Sequence, residues 1–507
     1  MFAAVTSATI LGVEAIAVRV EAFVSGGLPS FTIVGLPGAA VQESRERVRA
    51  NLKLLGLPLP PSRILVNLAP ADVRKEGPAL DLAIALALLT AERRVPLRAL
   101  ERTVAFGELA LDGSLRPARG AVAVALLAAA LAEESGAPHR VLAPPANARE
   151  AALVPGVEVV APTNLAAAVA HLTGRARLAP WEAAAPAAAP DPPDLPDLAD
   201  VRAQALPRRA LEVAAAGRHN LLLTGPPGAG KSMLARRLQG ILPPLTDAEA
   251  IEVTRVHSSA GRSAGALVRS PPFRQPHHSA SQAGLLGGGG VARPGEASLA
   301  HLGVLFLDEL PEFSRAVLEG LRQPLEDGVV TISRASGSVR LPARFQLVAA
   351  RNPCPCGHHG SSDDGPPCTC SAAAVVRYQR RLSGPLLDRF DLRVRVPRLS
   401  DAELVAAPPG ESSGAVAARV ARARAAALER QGAANAHLPT RELAAHVRPN
   451  GEAARALERI VRGLRPTARG YDRLLRVART AADLAGAVNV GPEHLLEAAA
   501  YRDEPGP

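Results

Sequence analysis

The run Gly225-Pro226-Pro227-Gly228-Ala229-Gly230-Lys231-Ser232 follows the apolar stretch Leu221-Leu222-Leu223-Thr224 and precedes MLARRLQGIL, a helix-forming segment. Strand, glycine-rich loop and helix in that order, closed by Lys-Ser, have the spacing of a phosphate-binding loop. The small residues let backbone N–H groups surround phosphate oxygens at a helix N-terminus. Lys231 then carries a cation to the β and γ phosphates, and Ser232 offers a hydroxyl to Mg²⁺. A glycine-rich turn in an unrelated α/β protein is the alternative, and the flanking strand and helix argue against it. Composition sharpens the reading: of 58 basic residues only Lys53, Lys75 and Lys231 are lysines, so position 231 keeps the type that arginine replaces elsewhere.

Further polar residues stand at the ends of apolar runs. Gly303-Val304-Leu305-Phe306-Leu307 ends in Asp308 and Glu309, as expected of a buried strand delivering carboxylates to its carboxyl end, where ligands sit in parallel sheets. Asp308 is the candidate to hold Mg²⁺ and Glu309 to orient or deprotonate the attacking water. A strand from Phe345 to Ala350 leads to Asn352, suited to contact the γ phosphate or the water. Arg389, in GPLLDRFDL, is a candidate to stabilise transferring charge from a neighbouring subunit, with an intramolecular acid–arginine pair as the alternative.

All four cysteines, Cys354, Cys356, Cys368 and Cys370, fall in one segment as two C-x-C pairs. Four thiolates can hold Zn²⁺ tetrahedrally and so order a loop with little apolar content; free thiols are the alternative. His358 and His359 are possible substitute ligands or ordinary surface residues. Two insertions could meet a substrate. One is the irregular PPFRQPHHSASQAGLLGGGGVARPGEASLAH segment. The other is VVTISRASGSVRLPARF, a predicted β-hairpin turning near Ser336-Gly337, whose Arg334 and Arg340 could meet phosphates or remain solvated.

The elements that must position these residues suggest three domains, in keeping with 507 residues. The first, 1–175, reads as mixed α/β: strands on either side of a Gly26-Gly27 turn, a helix over Val41–Leu55, and a strand over Arg63–Leu68. A helix follows Pro78, then a hairpin at Gly113 and an alanine-rich helix after Gly120. Residues 176–202 contain APWEAAAPAAAPDPPDLPD, an extended Ala/Pro linker. Residues 203–398 repeat strand, turn and helix as a parallel nucleotide-binding sheet does, and 399–507 become helical.

The net charge of +10 and pI near 10.3 favour a polyanionic partner. The apolar stretches Leu80–Leu89 and Ala121–Ala132 are shorter than the ~20 residues that span a bilayer. Without a convincing secretory signal either, a cytoplasmic protein with no membrane contact is expected.

GPPGAGKSMLARRL, FRQPHHSAS, RPGEASLAHLGVLFLDELPEF, NPCPCG and SGPLLDRFDL together resemble the magnesium-chelatase-like AAA+ ATPases of the YifB/ComM type, most specifically across 220–396. The resemblance implies a homohexameric ring that uses ATP and Mg²⁺. In the competence-associated members it implies a helicase driving branch migration on single-stranded or branched DNA during recombination of incoming DNA. A chelatase-type motor that remodels a protein partner for metal insertion is the alternative; a scaffold that only binds nucleotide would not need the full hydrolytic set. The two insertions would point into the ring pore, and TARGYDRLLRVARTAADLAG is similar to the family's sensor-2 helix. That similarity implies Arg469 as the nucleotide-sensing arginine, with Arg473 second. Through KEGPA and FGELALDGSLRPARG the first domain is similar to the substrate domain of Lon-type proteases. Ala79 stands where the nucleophilic serine would be, and an alanine has no hydroxyl to attack a peptide. No lysine lies between Lys75 and Lys231, so Ser-Lys proteolysis is rejected. Arg351 departs from the apolar residue usual before the sensor asparagine.

Overall fold

The computed structural model describes residues 1–59, 61–182, 195–289, 292–334, 337–360, 366–449 and 451–502. Residues 183–194 of the expected linker and the hairpin tip, Ser336 included, lie outside the described residues.

In the first domain, alternating residues of Glu14–Ser25 bury Val18, Val20, Ala22 and Val24 on one face. This strand belongs to a seven-stranded mixed sheet ordered Ser30–Val34, Arg63–Ala69, Glu14–Ser25, Phe2–Leu11, Thr103–Ala105, Arg140–Leu142, Glu158–Val160. The strands on either side of Gly26-Gly27 do not pair with one another. Arg63–Ala69 lies between them, antiparallel to the first and parallel to the second, because the helices Ala39–Gln42 and Ser44–Leu54 cross over and return the chain in parallel. Helix Asp81–Ala91, apolar on every side, is buried at every residue. The Gly113 hairpin joins Glu108–Leu109 to Leu115–Arg116, and the alanine-rich helix spans Ala121–Ser135.

The second domain is a five-stranded parallel sheet ordered Phe273–Arg274, Val304–Leu307, Gln346–Arg351, Leu221–Thr224, Leu392–Arg395. Because all five strands run the same way, the loops after Thr224, Leu307 and Arg351 emerge at one edge, which places the candidate residues together. Leu198 and Val201, at the end of the expected linker, are buried in this domain's core. The third region is helical: Ser413–Gln431, Thr440–His446, Gly451–Leu464, Ala468–Leu484 and Pro492–Ala500 share that core with helix Ala205–Gly217.

The first domain braces the second. Gly120 N–H donates to the Ser258 carbonyl (3.2 Å), and the Ser258 hydroxyl donates to Glu150 (2.6 Å). Val13 is buried with Leu285 and Leu286 of the irregular insertion and with Val339 and Leu341 of the hairpin. Gly12 is in the left-handed region (φ +68°), and a Cβ there would lie 2.6 Å from Val339 Cγ1. The turn after the first strand is thus packed on the hairpin and shares an apolar cluster with the irregular insertion.

Candidate nucleotide site and cysteine cluster

The phosphate-loop segment joins strand Leu221–Thr224 to helix Lys231–Arg237. Gly228 and Gly230 are left-handed (φ +77° and +85°), and Gly225 runs so close to Val396 that a Cβ would sit 2.2 Å from its carbonyl oxygen. Lys231 is buried, with Nζ donating to the Gly225 and Pro226 carbonyls (both 2.8 Å) and to Asn352 Oδ1 (3.0 Å). Burial pushes its ammonium below the ordinary value, against the pull of Asp308 and Glu309. Ser232 donates to Asp308 Oδ2 (2.6 Å). A hydroxyl and a carboxylate this close, both hard oxygen ligands, suit Mg²⁺, which they would hold against substrate phosphates. Residues taken from three separated stretches of sequence, 225–232, 308–309 and 352, therefore meet at one edge of the sheet.

Glu309 has φ +50° and a largely exposed side chain, with its own N–H on Asp308 Oδ1 (3.0 Å). His278, from the PHH segment, brings Nδ1 to 3.5 Å from Glu309 Oε2 and stacks on His277 with ring centroids 4.1 Å apart. Sequence reasoning noted PHH only as part of a substrate-facing insertion and missed its contact with the acid. Beside the loop, Asp200, Arg202, Gln204, Met233, Arg398, Leu399 and Glu403 help to line a cavity of 560 Å³. It borders Pro227–Gly230 of the glycine-rich loop.

Arg389 is elsewhere. Its carbonyl accepts from Asn220 Nδ2 (2.9 Å), and Asn220 precedes the Leu221–Thr224 strand, so Arg389 sits at the opposite end of the sheet from the phosphate loop. A four-residue strand separates the two ends by about 13 Å. Its buried guanidinium pairs with Glu326 and donates to the Pro385 carbonyl (2.5 Å). Arg469, exposed, lies 3.5 Å from the same Glu326. Arg473 instead meets buried Asp391 (3.3 Å). Glu326, which gathers Arg389 and Arg469, escaped the sequence reading because it lies 63 residues from Arg389 with no motif around it. Arg340 is exposed on the hairpin opposite Thr331. Arg334 pairs through its backbone with Gly337, and its side chain is outside the described residues.

The four cysteine sulfurs lie within 4.8 Å of one another. The sulfurs of Cys354 and Cys356 are 3.4 Å apart, those of Cys356 and Cys368 3.6 Å, and those of Cys354 and Cys368 3.8 Å. A disulfide needs about 2.05 Å, whereas a Zn²⁺ tetrahedron with bonds of about 2.3 Å has edges near ~3.8 Å. The N–H groups of Cys356 and His359 point at Cys370 and Cys354 sulfurs (3.4 and 3.3 Å), as thiolate acceptors require. The donor set therefore fits a tetrahedral thiophilic cation. His358 and His359 are not in this group.

Comparison with known proteins agrees with this arrangement. Residues 197–404 match a family described as magnesium chelatase, subunit ChlI; residues 20–145 match subunit ChlI of Mg-chelatase, and 410–502 its C-terminal part. Competence protein ComM of Haemophilus influenzae is 43% identical over 504 residues, covering 99% of this chain and 97% of that protein. This chain belongs to the YifB/ComM-type magnesium-chelatase-like family. Among other members of the YifB/ComM type, the uncharacterized protein YifB of Escherichia coli is 42% identical over 494 residues, covering 97% of this chain and 95% of its own length. An uncharacterized protein of Mycobacterium tuberculosis is 45% identical over 504 residues, covering 98% and 97%. The family is of the AAA+ ATPase type, and the mixed α/β fold with a helical carboxyl-terminal region is the one expected. No helix of the described residues is long and apolar enough to cross a membrane.

Proposed function

We propose that this protein is a homohexameric AAA+ ring motor that hydrolyses ATP to move DNA, as a branch-migration helicase acting in recombination of incoming DNA. The observation that carries the reading is the convergence of Lys231, Ser232, Asp308, Glu309 and Asn352 on one edge of the parallel sheet. Backbone N–H groups of the Gly225–Ser232 loop bind the triphosphate, and Lys231 exchanges its loop carbonyls for the β and γ phosphates. Ser232 and Asp308 hold Mg²⁺, which supplies charge neutralisation on the phosphates. Glu309 orients the attacking water and accepts its proton, while Asn352 positions the γ phosphate.

Arg389 acts on the neighbouring subunit's nucleotide, and Arg469 is the nucleotide-sensing arginine. Their place beside Glu326, across the sheet from their own loop, supports a trans role for Arg389 and aligns Arg469 with it. The cysteine cluster holds Zn²⁺. DNA as the substrate is supported by the net charge of +10, by the hairpin carrying Arg334 and Arg340, and by the relationship to a protein named for competence.

The test is phosphate release measured with single-stranded, duplex and four-way-junction DNA, followed by strand exchange on the best substrate. DNA-stimulated hydrolysis with strand exchange is expected. ATP hydrolysis indifferent to every DNA would turn the reading toward a motor that remodels a protein partner.

A further inference from the structure

We infer that the four-cysteine loop is a wall of the nucleotide site, so that a tetrahedral thiophilic cation held by Cys354, Cys356, Cys368 and Cys370 sets the affinity for ATP. The inference rests on the readings above that this cluster takes a metal and that the Lys231 loop takes the triphosphate.

Two separate contacts tie the cysteine loop to the phosphate loop. Asn352, two residues before Cys354, accepts from Lys231 Nζ at 3.0 Å. Gly357, one residue after Cys356, packs on the phosphate loop itself: a Cβ there would lie 2.3 Å from Pro227 Cδ and 2.6 Å from Cγ. Gly357 also has φ +88°, a conformation that glycine adopts without strain. Two of the four sulfurs thus stand between the residue that holds Lys231 and the residue that supports Pro227. A third contact closes the far side, where the space beyond Gly360 is filled by Arg395 Nη2, 2.9 Å from a Cβ at that position. Arg395 ends the strand adjoining Leu221–Thr224.

Apolar burial within the segment is slight. Among the described residues from 353 to 371, only Cys354 and Gly357 are buried, so there is no apolar core to fix the loop. A metal cross-linking two C-x-C pairs would supply that order, as structural zinc does in small domains that lack a core. Without it, the support of Pro227 and the placement of Asn352 would both relax, and ATP would bind a looser loop.

The test measures zinc content and the affinity for the fluorescent analogue mant-ATP with Mg²⁺, on the full chain. Wild type is expected to carry one zinc per chain, and Cys368→Ser to lose it and to bind mant-ATP about tenfold more weakly. Gly357→Ala separates contact from metal: it should keep its zinc yet lose a comparable factor, since the added Cβ displaces Pro227. Because Cys368→Ser could misfold, wild type treated with a zinc-selective chelator is measured alongside, and its affinity should return on adding Zn²⁺. Zinc lost from Cys368→Ser or from chelated wild type with mant-ATP affinity unchanged overturns the inference while leaving the metal reading intact. Wild type purified without metal, and with full affinity, overturns both. Wild type that does not bind mant-ATP removes the nucleotide reading on which the inference stands.

Discussion

Asp391 offers a perturbation whose size follows from its surroundings. The carboxylate is buried, receives the Asn220 N–H (2.9 Å), and lies 3.3 Å from Arg473 and 3.6 Å from His219. Burial alone would raise its pKa. The His219 ring, the Arg473 guanidinium and the Asn220 N–H more than offset that and hold it at about 2, against an ordinary 3.8. A carboxylate held that far below its ordinary value stabilises the folded state by roughly 2 kcal/mol at neutral pH. The sign is that of a folded pKa below the unfolded one: the contribution is complete above about pH 4 and disappears as pH falls through about 2. Asp391→Asn keeps the shape and removes the charge. Urea unfolding should show a loss of roughly 2 kcal/mol at pH 7 and about half that at pH 3. A deficit equal at the two pH values, or under about 0.5 kcal/mol at pH 7, would refute the assignment of the stability to this charge.

Other consequences bear on the site. Glu309→Gln should retain mant-ATP binding while lowering turnover by at least about a hundredfold, measured by phosphate release; normal turnover would remove Glu309 from the chemistry. Gly225→Ala places a methyl 2.2 Å from the Val396 carbonyl oxygen and should abolish nucleotide binding, read by fluorescence titration. Arg389→Ala should lose hydrolysis yet recover part of it when mixed with Lys231→Ala subunits, because the first supplies an intact loop and the second an intact arginine. Mixed assemblies with no recovery would assign Arg389 to its local pair with Glu326 alone.

The phosphate loop and its partners were legible because each is local: a turn chemistry at 225–232, an apolar strand ending in acids, four cysteines within one short segment. What the sequence concealed depends on distance along the chain. The strands either side of Gly26-Gly27 read as neighbours, yet only the three-dimensional crossover puts Arg63–Ala69 between them. Phe2–Leu11 was not read as a strand, although it pairs with Glu14–Ser25 along its whole length. His278 and Glu309 carry no shared motif, and Glu326 is an ordinary helix-end acid until the fold brings Arg389 and Arg469 to it. The packing of Gly12 on the hairpin, and of Val13 in the cluster it shares with the irregular insertion, is likewise a product of domain packing, which no periodicity encodes.

The most direct measurement is steady-state phosphate release by the purified full chain with Mg²⁺ and ATP, alone and with four-way-junction DNA, beside Lys231→Ala. Hydrolysis that rises severalfold with the junction and vanishes in Lys231→Ala is expected. Hydrolysis that survives Lys231→Ala, or a wild type that releases no phosphate under any of these conditions, would contradict the motor.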